Sequence, residues 1–300
     1  MQSVARQGAI FAVLAYTMWG IAPIYFKSLQ QIPALEMVSH RVVWSFVLLL
    51  AVLTWHVGWH AIKQLLKEPK KLALLGLSSA LIAVNWGVFI WAVNNDRMLD
   101  ASLGYYINPL VNVALGMVFL QERLARLQWF AMALATVGVL IQIISFGSVP
   151  WVALILAVSF GFYGLLRKRV HIDGVSGLWV ETALIAPLAI WYLVSVSSNG
   201  LPMADHNAMI NGLLIAAGVV TTAPLLCFIA AAKRLPLSHL GFFQYIGPSL
   251  MFILATTMYG EAMTIDKLIT FAFIWGALVV FSWHGIRASR LNRQRKALTE

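Results

Sequence analysis

Two charged side chains lie well inside apolar runs of this chain, Arg41 and Glu181, and His40 adjoins the first. Moving a charge from water into hydrocarbon is costly, so each needs a partner or a use. A carboxylate at position 181 can bind an amino or cationic group, or take up a proton, depending on whether burial or a neighbouring arginine dominates its surroundings. The functional expectation is that Arg41, His40 and Glu181 line a central cavity. Each charge stands about five residues into its helix, roughly 7 Å below opposite surfaces, so a direct Arg41–Glu181 bridge is not expected. A second set is polar and aromatic: Asn85, Trp86, Tyr105, Tyr106, Asn108, Asn112, Phe243, Gln244 and Tyr245, with Trp19 and Tyr163 beside them. Apolar walls carrying a few placed hydrogen-bonding groups suit a drug-like or aromatic metabolite. A structural reading stands next to the functional one. Charged side chains snorkel or bond a neighbouring helix, aromatic stripes often pack, and Trp55, Trp59 and Trp151 suit interface anchors. Glu122 and Glu261 fall at helix ends, where pairing with Arg123 or a nearby loop is expected.

Other chemistries lack their residues. The seven histidines form no HExxH pattern, and His56 and His60, four apart, have no acidic neighbour before Glu68, so no metal is expected. No Gly-rich phosphate loop is present, which removes ATP as energy source, and no cofactor is expected. Cys227, the single cysteine, reads as a small buried hydrophobe.

The elements that must hold these residues are membrane spans. Hydrophobic residues make up 61% of the 300 and charged residues 11%, whereas a soluble domain carries about a quarter charged. A span needs roughly 20 mostly apolar residues, and ten are expected, at 8–26, 36–55, 72–93, 101–120, 127–146, 150–166, 176–196, 209–231, 238–258 and 267–286. The first is read as an uncleaved helix rather than a signal peptide. Seventeen Lys and Arg fall at the N-terminus, in the even-to-odd gaps and in the tail, against Lys27, Arg97 and Lys267 in the other gaps. That asymmetry places both termini in the cytoplasm. The basic tail 287–300, with "RASRLNRQRK", reads as a juxtamembrane segment held by anionic lipid, not as a nucleic-acid patch.

The chain also repeats itself. "GYYINP" (104–109) returns as "GFFQYIGP" (241–248); an offset of 139 aligns "YINP" with "YIGP" and carries Glu122 onto Glu261. "WGIAPIYFK" (19–27) lies over "FGFYGLLRK" (160–168) at 141, pairing Gly20 with Gly161, Lys27 with Lys168 and, further on, His40 with Glu181. The expected architecture is all-α: a first five-helix repeat over 1–146 and a second over 147–286. Five being odd, the second half enters from the opposite side, the inverted repeat used by many secondary transporters. Pro109 and Pro248 occupy matched positions and are expected to kink their helices, a pointer to a binding site.

Several segments carry a resemblance: "YTMWGIAPIYFK" (16–27), "HRVVWS" (40–45), "NWGVFIWAVNN" (85–95), "ASLGYYINPLVNVALGMVFLQER" (101–123), "SFGFYGLLRK" (159–168) and "PLLCFIAAAKRLPLSHLGFFQYIGPSLMFIL" (224–254). On these, nearly end to end, the chain resembles the RarD-type permeases of the EamA family, in the drug/metabolite transporter superfamily. The resemblance implies a ten-helix bacterial inner-membrane permease, linked by family name to chloramphenicol sensitivity, in a superfamily that mostly exports small metabolites or drugs. The expected partners are a small-molecule substrate and membrane lipids. Proton coupling, exchange and facilitated diffusion stand as alternatives, as do monomer and homodimer. A lipid or headgroup flippase is the rival function, ahead of a membrane-embedded enzyme or a channel.

Overall fold

A computed structural model describes residues 2–95, 98–147, 150–198, 200, 203–258 and 265–297, and these form helices with no strand among them. In chain order they are α1 (Gln2–Lys27), α2 (Ala34–Val52), α3 (His60–Leu65), α4 (Pro69–Asn94), α5 (Met98–Leu120), α6 (Arg126–Phe146), α7 (Trp151–Arg169), α8 (Gly174–Val196), α9 (Ala208–Arg234), α10 (Leu237–Gln244), α11 (Ile246–Thr257) and α12 (Ile265–Ala297). A π-helical turn, Leu53–Val57, extends α2.

The sequence marks most of the starts. Pro33, Pro150 and Pro236 immediately precede α2, α7 and α10, and Pro69 opens α4. The first turn of a helix has no use for the N–H that proline lacks. Asp173 and Asn207 cap α8 and α9, accepting the N–H of Ser176 at 2.8 Å and of Ile210 at 2.9 Å. Gly147, at φ 75°, ends α6 in the left-handed conformation that glycine takes without strain.

Among the described residues nine helical stretches are long and apolar enough to cross a membrane, counting Leu237–Leu254 as one; in α12 the apolar part, Leu268–His284, is shorter. Several boundaries differ from expectation: α1 begins at Gln2, and α12 runs on through Ala297 into the segment read as a tail. The sixth span does not stop at residue 166: α7 continues through Arg167, Lys168 and Arg169, because cations in a last turn complement the helix dipole and Arg167 finds a buried partner. The gap after residue 55 contains the short α3. The ninth span is broken at Tyr245 into α10 and α11.

The helices pack as α1 with α9 and α11, α2 with α8 and α9, α4 with α7 and α8, α5 with α7 and α10, and α6 with α12. At the centre, rings from three helices interlock: Trp19 lies 5.8 Å from Phe160, Phe160 lies 5.2 Å from Phe228, and Tyr163 stacks on Phe228 at 6.1 Å. Large apolar side chains such as Val118, Ile144, Leu188, Trp191, Met209 and Val279 point outward and are exposed. A bilayer solvates such a surface, and water does not.

Candidate functional site

Glu181 stands one helical hairpin away from the cation it needs. Arg167 and Glu181 each lie seven residues from Gly174, where α8 begins, so the hairpin brings them to the same depth. Arg167 Nη1 is 3.5 Å from Glu181 Oε1, and both side chains are buried. Ser78 Oγ donates to the same oxygen, Tyr163 Oη donates to Oε2 at 3.3 Å, and Ser79 Oγ donates to the Glu181 carbonyl at 2.9 Å. Arg167 Nη2 donates to the Gly174 carbonyl at 3.4 Å. A Cβ at position 177 would overlap the guanidinium, so a side chain there would have to displace Arg167 from its present position. Both carboxylate oxygens are engaged. The arrangement ties α4, α7 and α8 together and presents no free acceptor to a solute.

Arg41 has different company. Its Nε donates to Thr221 Oγ1 on α9 at 2.9 Å. Its guanidinium carbon lies 5.2 Å from the centre of the Phe26 ring on α1 and 5.5 Å from that of Trp86 on α4. The hydroxyls of Tyr25 on α1 and Tyr105 on α5 are its electrostatic neighbours, and Tyr25 Oη is itself fixed by donating to the Leu213 carbonyl at 2.7 Å. Among the described residues no carboxylate pairs with Arg41. Arg41, Phe26 and Trp86 are only half-buried, and Tyr105 is 39% exposed, although side chains from five helices converge there. The result is a half-buried cation near two rings, with hydroxyls beside it.

Of the residues singled out in the sequence, the structure brings Arg41, Trp86 and Tyr105 together. Arg41 and Glu181 do not meet. Asn85 Nδ2 donates to the Leu156 carbonyl and to Ser159 Oγ, each at 2.9 Å, in the seam of α4 with α7. Asn108 Nδ2 donates to the Ala157 carbonyl at 2.6 Å, and Asn112 Nδ2 donates to Asn108 Oδ1 at 3.1 Å and Gln244 Oε1 at 2.9 Å. These buried amides form a ladder through α7, α5 and α10. Tyr245 is buried and donates to the Tyr106 carbonyl at 3.3 Å; Tyr106 meets Phe271 edge-on, and Phe243 packs on the central aromatic cluster. His40 is turned away from Arg41. It is 2% exposed, 4.0 Å from Glu36, whose carboxylate also meets His206 at 2.6 Å.

The two proline copies behave differently. α5 runs unbroken through Pro109, whereas the helix containing Pro248 is interrupted at Tyr245. Pro248 cannot donate to the carbonyl of Gln244, so α10 ends there and α11 starts afresh. The repeated glycine serves close approach: a Cβ at Gly241 would lie 2.6 Å from the Pro109 carbonyl oxygen, and one at Gly104 would lie 3.2 Å from that of Ala153.

Glu122 pairs with the first turn of α10, and neither with Arg123 nor with a loop. Its carboxylate accepts the N–H of Leu237 at 2.6 Å, the N–H of Ser238 at 2.8 Å and Ser238 Oγ at 2.6 Å, and Lys168 Nζ lies 3.9 Å away. Glu261 and Arg97 lie outside the described residues. A polar hollow of about 350 Å³ lies between Glu36, Leu193, Asp205 and His206. Hydrogen bonds from Ser198 Oγ, Ser197 Oγ and the Ser198 N–H hold the Asp205 carboxyl below its ordinary value. Among the described residues no group of three His, Cys, Asp or Glu side chains could hold a metal. Cys227 is free and half-buried beside the central cluster.

Arg167 is the residue that sequence reading missed. It sits in a run of basic residues, which reads as a cytoplasmic loop; the signal was its equal distance with Glu181 from the turn.

The profile of the EamA-like transporter family matches residues 6–144. Over 298 residues, 98% of each chain, the sequence is 56% identical to an uncharacterized transporter of Vibrio cholerae. It is 52% identical to Protein RarD of Escherichia coli over 286 residues, 95% of this chain and 97% of that one. Identity to the chloramphenicol-sensitive protein RarD of Pseudomonas aeruginosa is 32% over 298 residues, 97% and 99% of the two chains. A crystal structure only 18% identical superposes with a TM-score of 0.70, covering 91% of this chain and 96% of the other, a likeness of fold alone. An apolar helical bundle with near-full-length identity to these proteins is a multi-pass membrane transporter: the chain belongs to the EamA family, as a RarD-type permease.

Proposed function

We propose that this protein is a secondary transporter that moves small metabolites or drug-like molecules across the bacterial inner membrane by alternating access, outward from the cytoplasm. Ten spans form two five-helix halves of opposite orientation, with both termini cytoplasmic, and the partly exposed cluster of Arg41, Trp86 and Tyr105 receives the solute. One observation carries this reading: the packing of the helices maps onto itself when the halves are exchanged. Pairing α1 with α7, α2 with α8, α4 with α9, α5 with α10–α11 and α6 with α12 turns the α1–α9 contact into α7–α4. The same exchange turns α2–α9 into α8–α4 and α5–α7 into α11–α1; α2–α8, α5–α10 and α6–α12 return to themselves. At residue level Gly20 abuts Leu250 and Gly161 abuts Val111, which are equivalent pairs at the sequence offsets of 141 and 139. One packing used in both orientations gives two states of similar energy. The excess of Lys and Arg in alternate gaps supports the orientation.

The test is purified full-length protein in liposomes, loaded with a panel of labelled metabolites and drugs and followed for exchange and gradient-driven flux. Saturable movement of at least one panel member, lost or slowed in Arg41→Gln, is the expected result. Unsaturable flux, or scrambling of labelled lipid with no solute moving, would replace this reading by a channel or a flippase.

A further inference from the structure

We infer that the solute is an organic anion with a planar aromatic body, whose carboxylate is held by Arg41. The inference rests on the transporter reading above and narrows it. Arginine keeps its charge in any protein environment, so Arg41 is a permanent cation enclosed by α1, α2, α4, α5 and α9. The bundle supplies acids to its other enclosed cations: Glu181 to Arg167, and Glu122 to Lys168. It supplies none to Arg41 among the described residues, and the titratable groups around it are the hydroxyls of Tyr25 and Tyr105. A half-buried positive charge inside the bundle, with rings but no counter-ion, is complementary to an anion that comes and goes.

The geometry also states the shape. Bonding of Nε to Thr221 fixes the side-chain plane and leaves the two terminal nitrogens, the edge that engages a carboxylate bidentately. Phe26 and Trp86 flank the same guanidinium at 5.2 and 5.5 Å. An aromatic ring attached to the carboxylate continues that stack. A bare inorganic anion makes no use of those rings.

The measurement is binding to full-length protein in neutral-lipid nanodiscs, in gluconate buffer, read by tryptophan fluorescence and calorimetry. The probes are benzoate, benzamide, benzylamine and chloride. Benzoate is expected to bind at least ~10-fold more tightly than benzamide or benzylamine, and more tightly than chloride. Arg41→Gln is expected to erase the preference over benzamide, and Arg41→Lys to retain part of it. Should Arg41→Gln fail to fold, Trp86→Ala replaces it: benzoate weakens while its lead over benzamide persists. Equal binding of benzamide or benzylamine, chloride matching benzoate, or no binding of benzoate overturns the inference. The liposome panel separates the two claims. Flux of neutral or cationic solutes indifferent to Arg41→Gln overturns the anion and keeps the transporter, whereas benzoate binding with no solute flux overturns the transporter and keeps the anion site.

Discussion

The Arg167–Glu181 pair is a buried charge couple whose removal by halves is expected to cost more than its removal whole. Glu181→Gln leaves the Arg167 guanidinium enclosed without its counter-charge, a situation that costs about 3–5 kcal/mol. Replacing both, as Arg167→Met with Glu181→Leu, is expected to recover most of that loss, because well-packed apolar residues can substitute for a buried pair. Unfolding in mixed micelles measures both, and a Glu181→Gln protein as stable as wild type would show that Glu181 is not the tie described. Asp205 gives a second prediction. Its folded carboxyl lies below the ordinary value, so its contribution to the 197–205 turn is present at neutral pH and is lost only as pH falls through that lowered value. Hydrogen exchange at the Ser198 amide is expected to be unchanged between pH 7 and 5 after correction for intrinsic rates, and faster in Asp205→Asn at both. A rise beginning near pH 5 in wild type would contradict the assignment. At this scale, the chain announced Arg41 and Glu181 because a charge within an apolar run stands out. It concealed Arg167 among other basic residues. It gave no sign that Asn85, Asn108 and Gln244 would bond across helix seams, since an amide on a helix reads the same whether it faces a cavity or a carbonyl.

Among the elements, α10 shows how a short helix is held in a broken span. Its eight residues begin after Pro236, and the free N–H groups of its first turn are met by the carboxylate of Glu122 from the end of α5. A side chain thus caps a helix more than a hundred residues away in sequence. Gly116 makes room, since a Cβ there would lie 2.6 Å from Glu122 Oε2. Glu122→Gln keeps one acceptor and gives up the charge, and is expected to lower stability by about 1–2 kcal/mol. Lys168→Met, which removes a cation 3.9 Å away but leaves the cap, is expected to cost less. Hydrogen exchange at residues 237–241 reads the difference, and equal protection in Glu122→Gln and wild type would remove the capping role. The spans themselves were legible from hydropathy, because length and apolarity are what a bilayer demands of a helix. The break at Tyr245 was pointed to by Pro248. α5 stays continuous through Pro109, which is compatible with the expected bend, because whether a proline bends or divides a helix is decided by the neighbours that pack on it.

For the molecule as a whole, the proposed two-half architecture, in which Gly20 corresponds to Gly161, makes a prediction that only an inverted repeat shares. A Cβ at Gly20 would come within 2.8 Å of Leu250, and one at Gly161 within 2.7 Å of Val111. Enlarging either glycine forces its half apart from the other, an overpacking of about 1–3 kcal/mol. If the halves interconvert between mirrored states, a wedge in one favours one state and a wedge in the other favours its opposite. The reporter is a single cysteine, Trp86→Cys in a Cys227→Ala background, labelled by impermeant maleimide from either face of sealed vesicles. Gly20→Val and Gly161→Val are expected to shift labelling in opposite directions, each by roughly 5-fold or more between the two faces. The double variant is expected to restore an even balance while lowering stability. Shifts in the same direction would mean that the two glycines are ordinary packing contacts in one static bundle. Labelling from both faces at once would mean a continuous pore, and alternating access would have to be abandoned.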